Sequence, residues 1–167
     1  SGLAEAGRAE QQHMVECLGA PTRRLDEHAQ IIARRLLPDE LVQGLGPQRR
    51  IRLMFFLRDH YTGEVGSMDP LLFDQLHQVR TLLGARMPYE VISGYRCPET
   101  NGRLRQKGSG GVAKKSLHME GRAIDVRLPG VPLAELRDAA LSLQAGGVGF
   151  YPESQFVHID TGRVRRW

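Results

Sequence analysis

Two short apolar segments in the second half of the chain carry charged or metal-binding side chains where a strand is expected to be buried. Residues 122–128 alternate in a way that predicts a β-strand, yet Asp125 stands within it. Residues 155–160 predict a second strand, which carries His158. Because a buried carboxylate needs a partner, the fold must bring one to Asp125.

His118 lies seven residues before Asp125, and the two side chains approach each other only if the chain bends between them. Seven extended residues span about 23 Å, and an odd separation on a regular strand places two side chains on opposite faces. Gly121 is the residue that permits the bend. On the other predicted strand, His158 shares its face with Asp160 at i+2.

Two imidazoles and one carboxylate form the ligand pattern of a catalytic zinc site, which keeps a fourth position open. Zinc at such a site lowers the pKa of its bound water and polarises a carbonyl. The sequence therefore predicts Zn²⁺ held by His118, Asp125 and His158. Such spacing also arises by chance, so a purely structural role for these residues stays open at this point. We interpret the other four histidines as structural or surface residues: His13, His28, His60 and His77.

Arg96 closes the segment Ser93-Gly94-Tyr95-Arg96, which follows a predicted buried strand over residues 89–93. An arginine in this place is suited to binding a substrate carboxylate or to stabilising an oxyanion. The alternative is a solvated loop arginine.

The remaining pattern predicts an α+β domain, in which helices flank a small antiparallel sheet that carries the zinc site. The pattern of the sequence changes near residue 60, and residues 3–58 are predicted to be helical. Asp69-Pro70 predicts the start of a helix. The apolar face of that helix is expected to comprise Leu71, Leu72, Leu76, Val79, Leu82 and Leu83.

Further short elements are predicted along the rest of the second domain. A flexible loop is expected over residues 108–111, where glycine recurs. Helices are predicted over residues 49–58, 98–106 and 133–143, and strands over 148–151, 155–160 and 163–167.

Composition excludes several classes of protein. The chain of 167 residues has 41% hydrophobic and 25% charged residues, as globular proteins do, and no apolar run long enough to cross a membrane. The net charge of +4 rests almost entirely on arginine, which raises a polyanion such as nucleic acid as a partner. The arginines are scattered and no aromatic run offers base stacking, so we do not expect nucleic acid. The two cysteines, Cys17 and Cys97, form no zinc-binding CxxC motif.

Several longer segments resemble a known family. Ser93-Gly94-Tyr95-Arg96, residues 116–125, Gly146-Gly147-Val148-Gly149 and residues 156–162 together resemble the YcbK/MepK-like murein endopeptidases. These belong to a superfamily that includes D-Ala-D-Ala dipeptidases of the VanX kind and the zinc fold of hedgehog signalling domains. Shorter family signatures are Leu57-Arg58-Asp59-His60, Thr62-Gly63-Glu64, and Arg163-Val164-Arg165 with Trp167.

The resemblance runs from about residue 53 to the last residue, which divides the chain into a helical N-terminal region of unknown role, residues 1–52, and a zinc peptidase domain, residues 53–167. It implies that zinc is held by His118, Asp125 and His158. It implies that Arg96 stabilises charge on the scissile carbonyl. The reaction would be hydrolysis of peptide cross-links in peptidoglycan at D-configured centres, so the stem peptides are the expected partner. The expected location is the periplasm or cell envelope, after export by a signal peptide that is absent from this sequence.

The resemblance leaves the general base open. In the dipeptidase relatives an acidic residue lies three positions before the last zinc histidine, but that position here is Gln155, which cannot accept a proton. Asp160 is the leading substitute because it shares a strand face with His158, although it would equally well orient a histidine. Glu153 and Glu120 are the other candidates.

Gln155 also keeps a second function open, namely a zinc-containing domain that binds cell-wall peptides without hydrolysing them. Cys97 stands where a serine is expected in the family, and we interpret it as a small buried apolar residue, not as a nucleophile.

Overall fold

The computed structural model describes residues 47–107 and 112–167. The α-helices in this part of the chain are α1 (Pro47–Phe56), α2 (Pro70–Leu82), α3 (Pro98–Lys107) and α4 (Leu133–Ser142), with one short 3₁₀-helix (Leu117–Glu120). The strands are β1 (Glu90–Ser93), β2 (Ala123–Arg127), β3 (Gly147–Tyr151), β4 (Phe156–Asp160) and β5 (Arg165–Arg166). The predicted α+β class is confirmed.

The five strands form one sheet in the order β1-β2-β4-β3-β5. All neighbouring pairs are antiparallel except β3 and β5, which run parallel, so the prediction of an antiparallel sheet is wrong for the last strand. The reason is topological. Strand β4 already lies between β2 and β3, so the chain that leaves it pairs with the edge of the sheet at β3. The turn after β4 reverses the chain, and since β3 is also antiparallel to β4, β5 runs parallel to β3.

One face of the sheet forms the apolar core beneath α2 and α4. Ile124 pairs with Ile159 and Val126 with Val157 across β2 and β4, so these four side chains share a face. Helix α4 packs on β3 and β4, and α2 packs on α4. Each large apolar side chain that this face buries contributes about 1.5–3 kcal/mol.

Helix α2 begins as its sequence predicts. The Asp69 side chain accepts a hydrogen bond from the Leu71 N–H at 3.0 Å, and Pro70 occupies the first helical position. The predicted apolar face is too wide, because Leu71 and Leu82 are 61% and 60% exposed. At about 100° per residue, both positions fall roughly 105–130° from the centre of the stripe that the buried apolar residues form. The buried apolar residues of the helix are Leu72, Phe73, Leu76 and Val79.

Some expectations fall wholly or partly outside the described residues. These include most of the helical region 1–52, the loop 108–111, His13, His28 and Cys17. Helix α1 spans the predicted boundary between residues 52 and 53, and the division into two domains stays a prediction. Among the described helices, none combines the length and the apolar character that crossing a membrane requires.

Candidate metal centre

A row of directly paired residues crosses four strands of the sheet on the face opposite the apolar core. Ser93 of β1 pairs with Asp125 of β2. Asp125 pairs in turn with His158 of β4, and His158 pairs with Gly149 of β3. Directly opposed residues of antiparallel strands point their side chains to the same face, so this cross-strand row brings Asp125 beside His158.

His118 reaches the cross-strand row from the 3₁₀-helix, which ends at Gly121. Gly121 has the left-handed conformation, with φ of 66°. A Cβ atom at this position would lie 1.8 Å from the carbonyl oxygen of Ser67, so the close approach of the chain also requires glycine. The predicted bend at Gly121 is confirmed, and it leaves His118 only 2% exposed beside Asp125.

The three predicted metal ligands converge on one point. His158 Nδ1 lies 2.8 Å from Asp125 Oδ1, and His118 Nε2 lies 3.3 Å from the same oxygen. The two ring nitrogens are 3.3 Å apart. One ligand atom from each residue falls within 4.8 Å of the others, which is close enough for all three to hold one metal ion. We refer to His118, Asp125 and His158 as the candidate metal centre.

Each histidine turns its other ring nitrogen to a hydrogen-bond acceptor. His118 Nδ1 donates to the carbonyl oxygen of Gly94 at 2.7 Å. His158 Nε2 donates to Asp160 Oδ2 at 3.1 Å. These acceptors hold protons on the outward nitrogens and direct His118 Nε2 and His158 Nδ1 inward. Two imidazole nitrogens and one carboxylate oxygen are a donor set that suits zinc, so the residues present fit this metal.

Asp160 is completely buried behind His158 and has both carboxylate oxygens engaged. Oδ1 accepts hydrogen bonds from the backbone N–H groups of Gly147 and Gly162, at 3.0 and 2.8 Å. Oδ2 lies 2.7 Å from Arg165 Nη2 and also accepts the hydrogen bond from His158 Nε2. A Cβ at position 147 would come within 2.5 Å of the carboxylate, so the glycine makes room for this arrangement.

Burial and neighbouring charges shift the pKa values of all three residues in the candidate metal centre. Burial alone would raise the pKa of Asp125, but the adjacent His118 and His158 outweigh it and hold that pKa well below its usual range. Burial lowers the pKa of His118. Burial would also lower the pKa of His158, but its hydrogen bonds to Asp125 and Asp160 raise it to about 9. Asp125 is therefore a carboxylate at neutral pH and His118 a neutral imidazole.

Arg96 lies at the edge of the candidate metal centre. Its Nη2 is 3.8 Å from Asp125 Oδ2 and 3.3 Å from Ser93 Oγ, and the side chain is 13% exposed. Its backbone N–H donates to the carbonyl oxygen of His118 at 3.1 Å, which ties the strand end to the 3₁₀-helix. The alternative of a solvated loop arginine is therefore wrong.

The remaining carboxylates that the sequence singled out are more exposed. Glu120 lies 3.3 Å from Arg122 in a surface ion pair. Glu153 is exposed in the turn between β3 and β4. Gln155, in the same turn, has φ of 55° and donates its side-chain amide to the carbonyl of Pro152. The side chain of Gln155 is thus held within its own turn.

Trp167 is a neighbour of the candidate metal centre, and local sequence patterns assign it no role. Its ring centroid lies 5.2 Å from that of His158, and the side chain is 49% exposed. Arg165 stands over the indole at 4.9 Å and pairs with Asp160. Two sequence features single out Trp167: it is the only tryptophan of the chain, and it belongs to a family signature. Its place beside His158, however, depends on the parallel pairing of β5 with β3.

Cys97 and two of the other histidines lie apart from the candidate metal centre. Cys97 is a buried free thiol whose Sγ lies 3.5 Å from the hydroxyls of Thr62 and Thr100. His60 Nε2 lies 3.2 Å from the carbonyl oxygen of Phe56, and His77 is exposed on α2. Their interpretation as structural or surface residues agrees with these positions.

Residues 46–167 match the family described as peptidoglycan L,D-endopeptidase MepK. The peptidoglycan L,D-endopeptidase MepK of Escherichia coli strain K12 is 53% identical over 125 residues, which cover 75% of this chain and 68% of the relative. The probable peptidoglycan L,D-endopeptidase MepK of Haemophilus influenzae is 47% identical over 128 residues, which cover 76% and 68% respectively. The chain therefore belongs to the MepK family of peptidases, as its motifs predicted.

Proposed function

We propose that this protein is a zinc-dependent peptidoglycan endopeptidase with Zn²⁺ held by His118, Asp125 and His158. The observation that carries the proposal is the convergence of three ligand atoms within 4.8 Å of one another. Acceptors that orient both imidazoles support it further. When bound by three protein ligands, zinc supplies Lewis-acid chemistry that makes water a better nucleophile and polarises a carbonyl.

The residues of the chain prepare the site in two ways. Asp125 contributes one negative charge. With zinc bound in place of the proton on His158 Nδ1, both imidazoles would be neutral donors, so the ligand set would leave the dication with net positive charge. Gly94 and Asp160 hold the imidazoles in place, so their orientation does not have to be established when the substrate arrives. Such preorganisation is the main way in which a protein favours developing charge in a transition state.

Arg96 is proposed to stabilise the negative charge that develops on the scissile carbonyl oxygen. Its guanidinium is mostly buried and fixed by Ser93. Replacing Arg96 with alanine should lower kcat by about 10²–10³, the cost of removing one oxyanion donor. Zinc content should be unchanged, because Arg96 is not among the proposed ligands. Unchanged kcat in steady-state cleavage of muropeptide dimers would contradict this role.

Asp160 has two proposed roles, and its contacts favour positioning over proton transfer. A general base must reach the proton that it takes from a reacting group. The side chain of Asp160 is 0% exposed, and its oxygens are engaged by Arg165, His158 and two backbone N–H groups. We therefore infer that Asp160 orients His158. Glu153 and Glu120 are then the candidate bases.

The proposed substrates are the peptide cross-links of peptidoglycan, hydrolysed at D-configured centres. The relatives are named L,D-endopeptidases, which favours the L,D type of cross-link. Action on these bonds would require the periplasm or cell envelope as the place of work. The positive net charge of +4 would also favour contact with the anionic polymers and stem peptides of the wall.

The alternative function is non-hydrolytic binding of wall peptides, and it rests on Gln155, which stands where the dipeptidase relatives have an acid. A domain with zinc and a peptide site but no effective base would bind wall peptides and leave them intact. The hydrogen bond of Gln155 to Pro152 supports a purely local role for this residue. The endopeptidase and the binding domain are distinguished by one measurement: only the endopeptidase produces cleaved peptide.

One experiment separates these two functions. The metal content of the purified protein is measured, and purified muropeptide dimers are digested and analysed by mass spectrometry. We expect about one zinc per chain and products that identify a single cleaved bond. The His118→Ala variant should lose both. Zinc-loaded protein that binds dimers without cleaving them would favour the binding domain, and full activity in His118→Ala would overturn the metal assignment.

A further inference from the structure

The indole ring of Trp167 is fixed against strand β3. The backbone N–H of Trp167 donates to Val148 at 3.3 Å, and its carbonyl accepts a hydrogen bond from Phe150 at 3.0 Å. The indole N–H donates to the hydroxyl of Tyr151 at 2.7 Å. Both the backbone and the ring are therefore held in place, so little conformational entropy is lost when a ligand packs on the ring.

Gly149 makes the position of this ring possible. It lies directly opposite His158 in the pairing of β3 and β4. A Cβ atom at position 149 would come within 2.7 Å of the Trp167 ring, so a larger residue would displace it. The indole thus occupies the β3 end of the cross-strand row, with its centroid 5.2 Å from that of His158.

The exposed part of the Trp167 ring offers an apolar surface beside the candidate metal centre. The side chain is 49% exposed although it is large and aromatic. Its hydrogen-bond donor is already used by Tyr151, so what remains for a ligand is the ring itself. Rigid aromatic surfaces next to a few polar groups are typical of binding sites.

Arg96 and the exposed ring of Trp167 lie at opposite ends of the cross-strand row. Arg96 contacts Ser93 at the β1 end, whereas Trp167 covers Gly149 at the β3 end. Four strands at about 4.8 Å spacing give the row a length of roughly 14 Å. That distance equals about four extended residues. A peptide laid along the row would contact Arg96 on one side of the candidate metal centre and Trp167 on the other.

We propose that the exposed indole of Trp167 binds the part of the substrate peptide that lies on the β3 side of the candidate metal centre. The contact is made with peptide planes and aliphatic side chains, so it positions the substrate without entering the chemistry. The proposal rests on the proposed function for its class of substrate, a peptidoglycan stem peptide. It does not depend on hydrolysis, because a non-hydrolytic domain would use the same surface.

Steady-state cleavage of purified muropeptide dimers gives the first test. Trp167→Ala should raise KM about tenfold, equivalent to about 1.4 kcal/mol of lost binding, with kcat and zinc content within about twofold of the wild type. Trp167→Phe should retain most of the affinity because it keeps an aromatic face. Phe55→Ala is the matched control, since Phe55 is an exposed aromatic residue on α1 that also lies under an arginine, Arg58. Unchanged KM, or loss of zinc in Trp167→Phe, would overturn the proposal.

Fluorescence gives a second test that does not need cleavage. Trp167 is the only tryptophan in the chain, so intrinsic tryptophan emission reports on this ring alone. Titration with purified muropeptide monomers should change the emission saturably, and calorimetry should show about tenfold weaker binding in Trp167→Ala. Binding without an emission change would overturn the role of Trp167 and leave the proposed function intact. An emission change without any cleavage of dimers would support Trp167 and overturn hydrolysis. Absence of both binding and emission change would overturn the role of Trp167.

Discussion

At the scale of single residues, the geometry of the two histidines depends on acceptors outside the candidate metal centre. Gly94 fixes one imidazole through its backbone carbonyl, so no side chain can be replaced to remove this acceptor. The other imidazole depends on Asp160, which is a side chain and can be changed. A carboxylate that orients a ligand affects metal affinity, whereas a general base affects only the chemical step. This difference makes the two roles of Asp160 separable.

Asp160→Asn is therefore expected to lower zinc affinity and kcat together. Loss of a partner that orients a metal-bound histidine typically costs about 10–100-fold in affinity or activity. Zinc affinity is measured by competition with a chromogenic chelator, and kcat by cleavage of muropeptide dimers. Asp138→Asn is the control, since Asp138 is an exposed carboxylate on α4. A fall in kcat with unchanged zinc affinity would instead assign the general base to Asp160.

Sequence reasoning was most successful for residues whose chemistry conflicts with their surroundings. Asp125 was noticeable because it interrupts an apolar strand, and the structure places it at 6% exposure between two histidines. Trp167 had no such conflict, since an exposed aromatic residue near the end of the sequence is ordinary. Its relation to His158 exists only once β5 pairs with β3, which is a long-range contact. Site residues like Trp167 can be identified only once the three-dimensional structure is known.

At the scale of elements, the 3₁₀-helix depends on its final glycine. Gly121 meets two separate requirements, a positive φ and the absence of a Cβ atom. The first costs about 1–2 kcal/mol for most residues. The second reflects the close approach of the carbonyl of Ser67, which any side chain would have to displace. The position of His118 follows from both.

Gly121→Ala should thus destabilise the protein more than a glycine substitution that introduces only backbone strain. Gly130→Ala is the matched control, because Gly130 has φ of 82° and open space around it. We expect Gly130→Ala to cost about 1–2 kcal/mol. Gly121→Ala should cost about 1–3 kcal/mol more through overpacking, and weaken zinc binding because His118 moves. Urea denaturation measures the difference, and equal costs for the two variants would contradict the steric argument.

The turn that follows α1 depends on a buried carboxylate. Asp59 is 2% exposed, and it accepts hydrogen bonds from the backbone N–H groups of Tyr61 and Cys97, each at 2.8 Å. Burial alone would raise the pKa of Asp59, but these bonds and one from Thr100 outweigh it and lower the pKa. A lowered pKa in the folded state stabilises the protein above the unfolded-state pKa of about 4. This contribution is lost as the pH falls through the folded-state pKa.

Asp59→Asn should remove this pH-dependent contribution. At pH 7 the variant should be less stable by about 1–3 kcal/mol, the cost of weakened hydrogen bonds to a buried group. As the pH falls below about 4, the wild type should lose more stability than the variant, which cannot titrate there. Urea denaturation at several pH values measures both slopes. Parallel slopes would show that Asp59 does not contribute to the acid sensitivity.

At the scale of the whole molecule, the elements were predictable and their arrangement was not. Alternation, proline and glycine located most helices and strands to within one or two residues, because these signals are local. The strand order β1-β2-β4-β3-β5 and the parallel pairing of β5 depend on contacts far apart in sequence. The family motifs predicted which distant residues form the site, because relatives that share these motifs share the fold. The candidate metal centre was predictable through both routes.

Zinc removal should affect the stability of the whole domain, because the proposed ligands come from separate elements. His118 lies on the 3₁₀-helix, Asp125 on β2 and His158 on β4. One bound ion would therefore join the adjacent strands β2 and β4 to the 3₁₀-helix. A ligand that binds only the folded state adds about 4 kcal/mol at a free concentration a thousandfold above its Kd. For a chain of this size, each kcal/mol raises Tm by about 2–4 °C. EDTA should therefore lower Tm by roughly 8–16 °C, and added zinc should restore it.

The His118→Ala variant is the control for this measurement. Without one of the three proposed ligands, its Tm should respond weakly to EDTA and to zinc. Differential scanning calorimetry of both proteins, with and without EDTA, gives the comparison at pH 7. An equal response in the two proteins would place the stabilising metal elsewhere, and no response in the wild type would contradict a zinc site that links β2, β4 and the 3₁₀-helix. Cleavage of muropeptide dimers in the same samples shows whether activity returns with the metal.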